Sequence, residues 1–200
     1  MNEPISAFCA MVRHRSEENK CAMQIMASHY DIPLSPAFSL LRQELDSMVR
    51  IIFLLSKDKC EREKYIVDLL NGERWKVQTS PGKERYVLDK DMIDLAQTLQ
   101  GWTKSVYKFG CAFIHLSEYH NYFHSDPVLK LSNDELQDIA AHLSWYHGYN
   151  QKEELTLEAI KIYIPMIFNK INENLECYIK DLETGRTLDN DDWISDLKSQ

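Results

Sequence analysis

The amino-acid sequence predicts an all-α protein: an antiparallel bundle of five to six helices, interrupted once around residues 73–88 by a loop or small hairpin. Three observations predict it. Apolar residues recur by three and four along almost the whole chain, the period of a helix with one buried face. Glycine and proline number six each in 200 residues, which suits helices better than a β-rich fold. Most of the periodic runs also begin and end on helix caps.

The first helix runs from about Pro4 to His29, with Ile5, Phe8, Val12, Ala22, Ile25 and Met26 inward; its polar middle, RHRSEENK, marks a break. The second opens on Ser35 as N-cap with Pro36 at the first helical position, where a missing N–H costs nothing. It then carries Phe38, Leu41, Leu45, Met48, Ile52 and Leu55 as a seam. The third starts at Asp58, boxed by Glu61, and stops at Gly72. WKVQ and RYVL then flank SPGK, the pattern of a short hairpin or a loop, and a natural place for a partner to touch.

The fourth helix is predicted to be the longest, from Asp89 to near His124, with Gly101 and Gly110 inside it as points of bending or close approach. The fifth has a full start signal in Leu131, Ser132, Glu135 and Leu136, and stops at Gly148. The sixth follows Thr156 and ends at Gly185, kinked by Pro165. Residues 1–185 thus form one helical domain. Residues 186–200 form an acidic tail with an amphipathic patch, Trp193, Ile194 and Leu197.

Charge narrows the function. The net charge is −8, of which Asp181–Gln200, with six acids and two bases, supplies −4. The remaining −4 is of mixed sign, which disfavours a duplex-DNA binder but leaves room for a local RNA contact. Five isolated cysteines without a CxxC predict reduced thiols rather than a disulfide framework or zinc ribbon. The N-terminal stretch does not read as a signal peptide, and the longest apolar run, Ile51–Leu55, is too short to span a bilayer, so a cytoplasmic location is expected. There is no GxGxxG, P-loop, HExxH or GxSxG, so no cofactor is expected.

Two octets nearly repeat: HLSEYHNY at His115–Tyr122 and HLSWYHGY at His142–Tyr149. Their histidines stand five apart, about 140° around a helix, which rules out i,i+4 ligation within one copy. His120 and His124 do have that spacing, with Asp126 beyond, a metal half-site with no matched second pair. If the fourth and fifth helices fold back on each other, His115 and His142 fall at similar heights. Glu118 and Asp138 are then placed to orient them. A histidine oriented in this way is a candidate general acid or base, or simply a structural bridge between helices.

Arg42, Asp46 and Arg50 make an i,i+4 ladder on the second helix, with Glu44 between them. The helix is so widely apolar that Arg42 or Glu44 can be drawn inward, and a buried arginine near His115 would make an anion site.

The pattern RxELxxxxRIIFLL at Arg42–Leu55, followed by AFIHLS at Ala112–Ser117, resembles uncharacterised bacterial helical-bundle proteins. The plan of long antiparallel helices is similar to the HEPN superfamily. That resemblance implies a dimeric, metal-independent ribonuclease of toxin or defence type. The superfamily's Arg followed four to six residues later by His is absent here. A site would therefore be assembled from separate helices: His115 and His142 as base and acid, Arg42 stabilising charge, Glu44 beside it. Two functions follow: a non-catalytic interaction or regulatory protein that self-associates, or such a ribonuclease with RNA as substrate. A metal-binding bundle is a third.

Overall fold

The structure is a computed structural model, and it describes residues 3–29, 31–114 and 117–188, without the side chain of residue 118. The fold is an all-α helical bundle. Its α-helices are α1 (Glu3–Ala27), α2 (Leu34–Leu55), α3 (Lys59–Leu70), α4 (Asp89–Gln100), α5 (Thr103–Ile114), α6 (Asn133–His147), α7 (Leu157–Lys161) and α8 (Ile164–Thr184). Two short 3-10 turns, Glu118–Asn121 and Pro127–Lys130, lie between α5 and α6. The one sheet among the described residues is the hairpin of β1 (Lys76–Ser80) and β2 (Lys83–Tyr86). No helix among the described residues is long and apolar enough to cross a membrane.

Several local signals act as expected. Asp58 accepts from the Glu61 amide at 2.9 Å and caps α3. Ser132 and Glu135 close a reciprocal box on α6, and Gly148 ends that helix in the left-handed region, φ 73°. Pro165 removes a helical N–H and crowds the carbonyl four residues back, and α7 stops there, at Lys161.

Other elements differ. α1 is continuous through its polar middle, because that polarity is bonded to other helices: the Arg13 guanidinium grips Glu176 at 2.9 and 3.0 Å and Glu183 at 2.6 and 2.9 Å. Ile25, expected inward, is exposed, and Met23 is buried instead. α2 starts earlier than Ser35: the Pro33 carbonyl already accepts from Ala37, so Ser35 lies in the first turn and its hydroxyl donates to the Phe113 carbonyl at 3.3 Å. The expected long fourth helix is broken. Gly101 takes φ 74°, its N–H closes on Gln97, and α5 starts afresh at Thr103 and stops at Ile114, about ten residues short of His124.

The chain gathers into two compact units. Among the described residues the first takes 3–17, Asp46–Gly101 and 173–188; the second takes Glu18–Leu45 and Trp102–Asn172. The first packs Phe8, Ile52, Leu55, Ile66, Met92 and Leu175. At its hairpin base Trp75 is buried, donating Nε1–H to the Tyr65 carbonyl at 2.7 Å and stacking on Phe53. Arg62, 2% exposed, donates Nε–H to Leu54 O and Nη2–H to Lys57 O and Thr187 Oγ1, each at 3.1 Å. The second unit packs Leu41, Leu143, Ile160 and Phe168 around a Phe38–Phe113 stack at 4.3 Å.

Candidate functional site

The expected site residues that are described all lie in the second unit. Glu44 is fully buried. A lone buried carboxylate is costly, and here two carboxamides meet it: Asn19 of α1 donates to Oε2 at 3.1 Å and Asn172 of α8 to Oε1 at 3.0 Å. Sequence reasoning missed both asparagines. Asn19 sat in the stretch taken for a break, and an asparagine inside an otherwise apolar helix face was the available signal.

Arg42 is also turned inward. Its guanidinium lies 4.0 Å over the Tyr107 ring, and its stem runs beside Gly110, where an added Cβ would stand 3.5 Å from the arginine's own. That is an ordinary van der Waals distance, so the approach of Arg42 does not by itself require a glycine at 110.

His142 is 9% exposed, and neither ring nitrogen has a hydrogen-bond partner among the described residues. Its neighbours are rings: Trp102 at 5.5 Å, Tyr146 at 5.1 Å and His147 at 5.5 Å between centroids. It forms part of the wall of an apolar cavity of about 40 Å³ with Phe38, Leu41, Val106, Phe109 and Ile160. Burial pushes its pKa down to about 4, with His147 and Lys170 adding positive charge nearby. Asp138, expected to orient this imidazole, is exposed instead and lines a separate α5–α6 groove with Lys104, Lys108 and Glu135. Lys108 and Glu135 form an ion pair across that groove.

His115 and the side chain of Glu118 lie outside the described residues, as does the Trp193 patch. Glu118–Asn121 form a 3-10 turn and not a helix running on to His124, which removes the basis for placing His115 at the height of His142. The two octets are also unlike in structure. His120 sits on a 3-10 turn, where Nδ1 accepts from the Ser117 amide at 3.2 Å and Nε2–H donates to the Phe113 carbonyl at 3.1 Å. His147 instead ends α6, its Nε2 buried without a partner among the described residues.

The His120–His124 half-site is not assembled. His120 is spent on the backbone, and Asp126 accepts from the Val128 and Leu157 amides at 2.8 and 2.9 Å. No group of three metal-ligating side chains occurs among the described residues.

The structure thus places Glu44 with two asparagines, Arg42 on a tyrosine, and His142 among rings. No family model, curated protein or solved structure matches this chain.

Proposed function

We infer that the protein is a non-catalytic interaction protein that associates with further copies of itself through its second unit. One observation carries this. The last turn of α6 packs on the start of α8, with Lys170 Nζ 3.7 Å over the Tyr146 ring. Trp145 on α6 is 69% exposed, Ile162 between α7 and α8 is 67% exposed, and Met166 on α8 is exposed as well. Exposed large apolar side chains, an aromatic among them, are the usual anchors of an interface, and a charge placed at such an anchor disrupts it. Glu44 supports the non-catalytic part of this reading, since each of its carboxylate oxygens accepts from an asparagine.

Sedimentation velocity tests it. The parent chain sediments as a dimer or larger, and Trp145→Lys sediments as a monomer with its helical circular dichroism unchanged. A monomeric parent overturns the reading. The ribonuclease alternative is favoured by the inward guanidinium of Arg42. Its test is cleavage of total RNA in EDTA, and cleavage that disappears in His115→Ala would replace the interaction reading.

A further inference from the structure

The hairpin of the first unit is the place where the chain departs from its own charge. Residues 74–86 hold Arg74, Lys76, Lys83 and Arg85 against Glu84, a net +3 within a chain of −8. Arg85 is committed to Asp91, at 2.5 and 2.9 Å. Arg74, Lys76 and Lys83 have no acid partner among the described residues.

Neither strand buries a residue. A free two-stranded ribbon is marginal in water, so this one is kept out in solvent by its anchored base. Trp75 is buried, the Tyr65 hydroxyl donates to the Lys76 carbonyl at 2.9 Å, and the Val87 amide donates to the Trp75 carbonyl at 2.9 Å.

Above that base the register pairs Lys76 with Tyr86, putting both side chains on one face. Arg74 joins them: its guanidinium lies 4.4 Å over the Tyr86 ring, and Lys76 Nζ lies 5.7 Å from the same centroid. Tyr86 is still 46% exposed. By strand alternation Glu84, paired with Gln78 and the one acid of the ribbon, shares the face of Tyr86, while Lys83 projects from the opposite face beside the turn.

We propose that this hairpin binds single-stranded nucleic acid, with phosphates on Arg74, Lys76 and Lys83 and a base against Tyr86. A ring with two cations at it, and a third reached where the strand passes the turn, matches the alternation of base and phosphate along a single strand. Three free cations are too few for a duplex, against which the rest of the chain is repelled. An acidic peptide would use the cations but not the exposed ring.

The test is fluorescence anisotropy of labelled twelve-residue uridine and deoxythymidine oligomers with the full chain. Three phosphates neutralised at about 0.7 counterion each give a log–log salt slope of about −2. Affinity then falls roughly twenty-fold between 50 and 200 mM salt. Lys76→Gln with Lys83→Gln, both at exposed positions, brings the slope to about −0.7, since one phosphate contact remains. Tyr86→Leu weakens binding roughly ten-fold with the slope unchanged, as the loss of one stacked base does.

Preference for the uridine oligomer assigns RNA; equal binding assigns single strands of either sugar. Three results each overturn the proposal: no binding at 50 mM salt, a slope indifferent to the double substitution, or Tyr86→Leu without effect. Polyglutamate displacing the oligomer at equal charge, together with a silent Tyr86→Leu, would point to an acidic peptide instead. The deoxythymidine arm has no 2′-hydroxyl for a ribonuclease to use, so it reports binding without cleavage, and no readout depends on self-association.

Discussion

Each unit buries a polar side chain capable of positive charge, and the two are treated oppositely. Arg62 in the first unit has three acceptors at 3.1 Å: two carbonyls and a threonine hydroxyl. His142 in the second has two ring nitrogens buried without a partner among the described residues. Both groups are lowered in pKa by burial. Arginine cannot escape its charge and must be satisfied, with Asp58 partly offsetting the penalty. Histidine can shed its proton, so a site made of rings tolerates it as a neutral, weakly polar disc. A buried polar group is therefore evidence of a designed clasp only when its partners come with it.

The comparison breaks most visibly at Arg62. Arg62→Met keeps the apolar stem and removes every bond: the Lys57 carbonyl and the Thr187 hydroxyl lose the guanidinium, while the Leu54 carbonyl keeps the Lys57 amide. The expected loss is about 3–5 kcal/mol, read by urea denaturation. A loss under about 1 kcal/mol would mean that water replaces the guanidinium and that the clasp between the ends of α2 and α8 adds little.

The difference between clasp and lone ring also explains what was legible in the sequence. Fold class, the caps at Asp58 and Ser132 and the stop at Gly148 are local, and local chemistry decided them. That Arg42 or Glu44 can turn inward was legible as one possibility beside a solvated ion-pair face, because α2 is apolar over so much of its surface; that both do was not. The partners of Glu44 were not, since Asn19 and Asn172 lie 25 and 128 residues away along the chain. The break at Gly101 was hidden for another reason. The three–four alternation continues in register through it, and whether a glycine bends a helix or ends it in the left-handed region depends on what the next residues pack against. The likeness of the two octets misled in the same way: six shared letters do not make the same structure when one copy ends a helix and the other lies on a 3-10 turn.

Acid sharpens the comparison next. The imidazole of His142 titrates near its ordinary value of 6.5 in the unfolded chain, and burial pushes it down to about 4 in the folded one. A folded value below the unfolded one means that the unfolded chain binds the proton first. Stability from this group is thus intact above about pH 6.5 and is lost progressively as pH falls toward 4. At about 1.4 kcal/mol for each pKa unit, the loss is on the order of 3 kcal/mol. His147, also lowered by burial, adds in the same direction. Arg62 does not titrate in this range. Denaturation midpoints from pH 7 to pH 4 check the point: the slope should shrink in His142→Leu and persist in Arg62→Met.

The smallest effect has the opposite sign and separates the two groups most cleanly. His142→Leu at pH 7 replaces two unpaired nitrogens with methyl groups beside Leu143 and Ile160, in an already apolar wall. Removing a buried unsatisfied group is worth roughly 1–3 kcal/mol, and losing the ring contacts to Trp102 and Tyr146 costs roughly 0.5–1.5 each. The terms nearly cancel, so the expected change is between zero and a gain of about 1 kcal/mol, a melting temperature equal to or slightly above the parent's. A clear loss, of about 2 kcal/mol or more, would show that the nitrogens are bonded in solution. His142 would then join Arg62 as a clasp, and the contrast between the two units would be one of partner and not of kind.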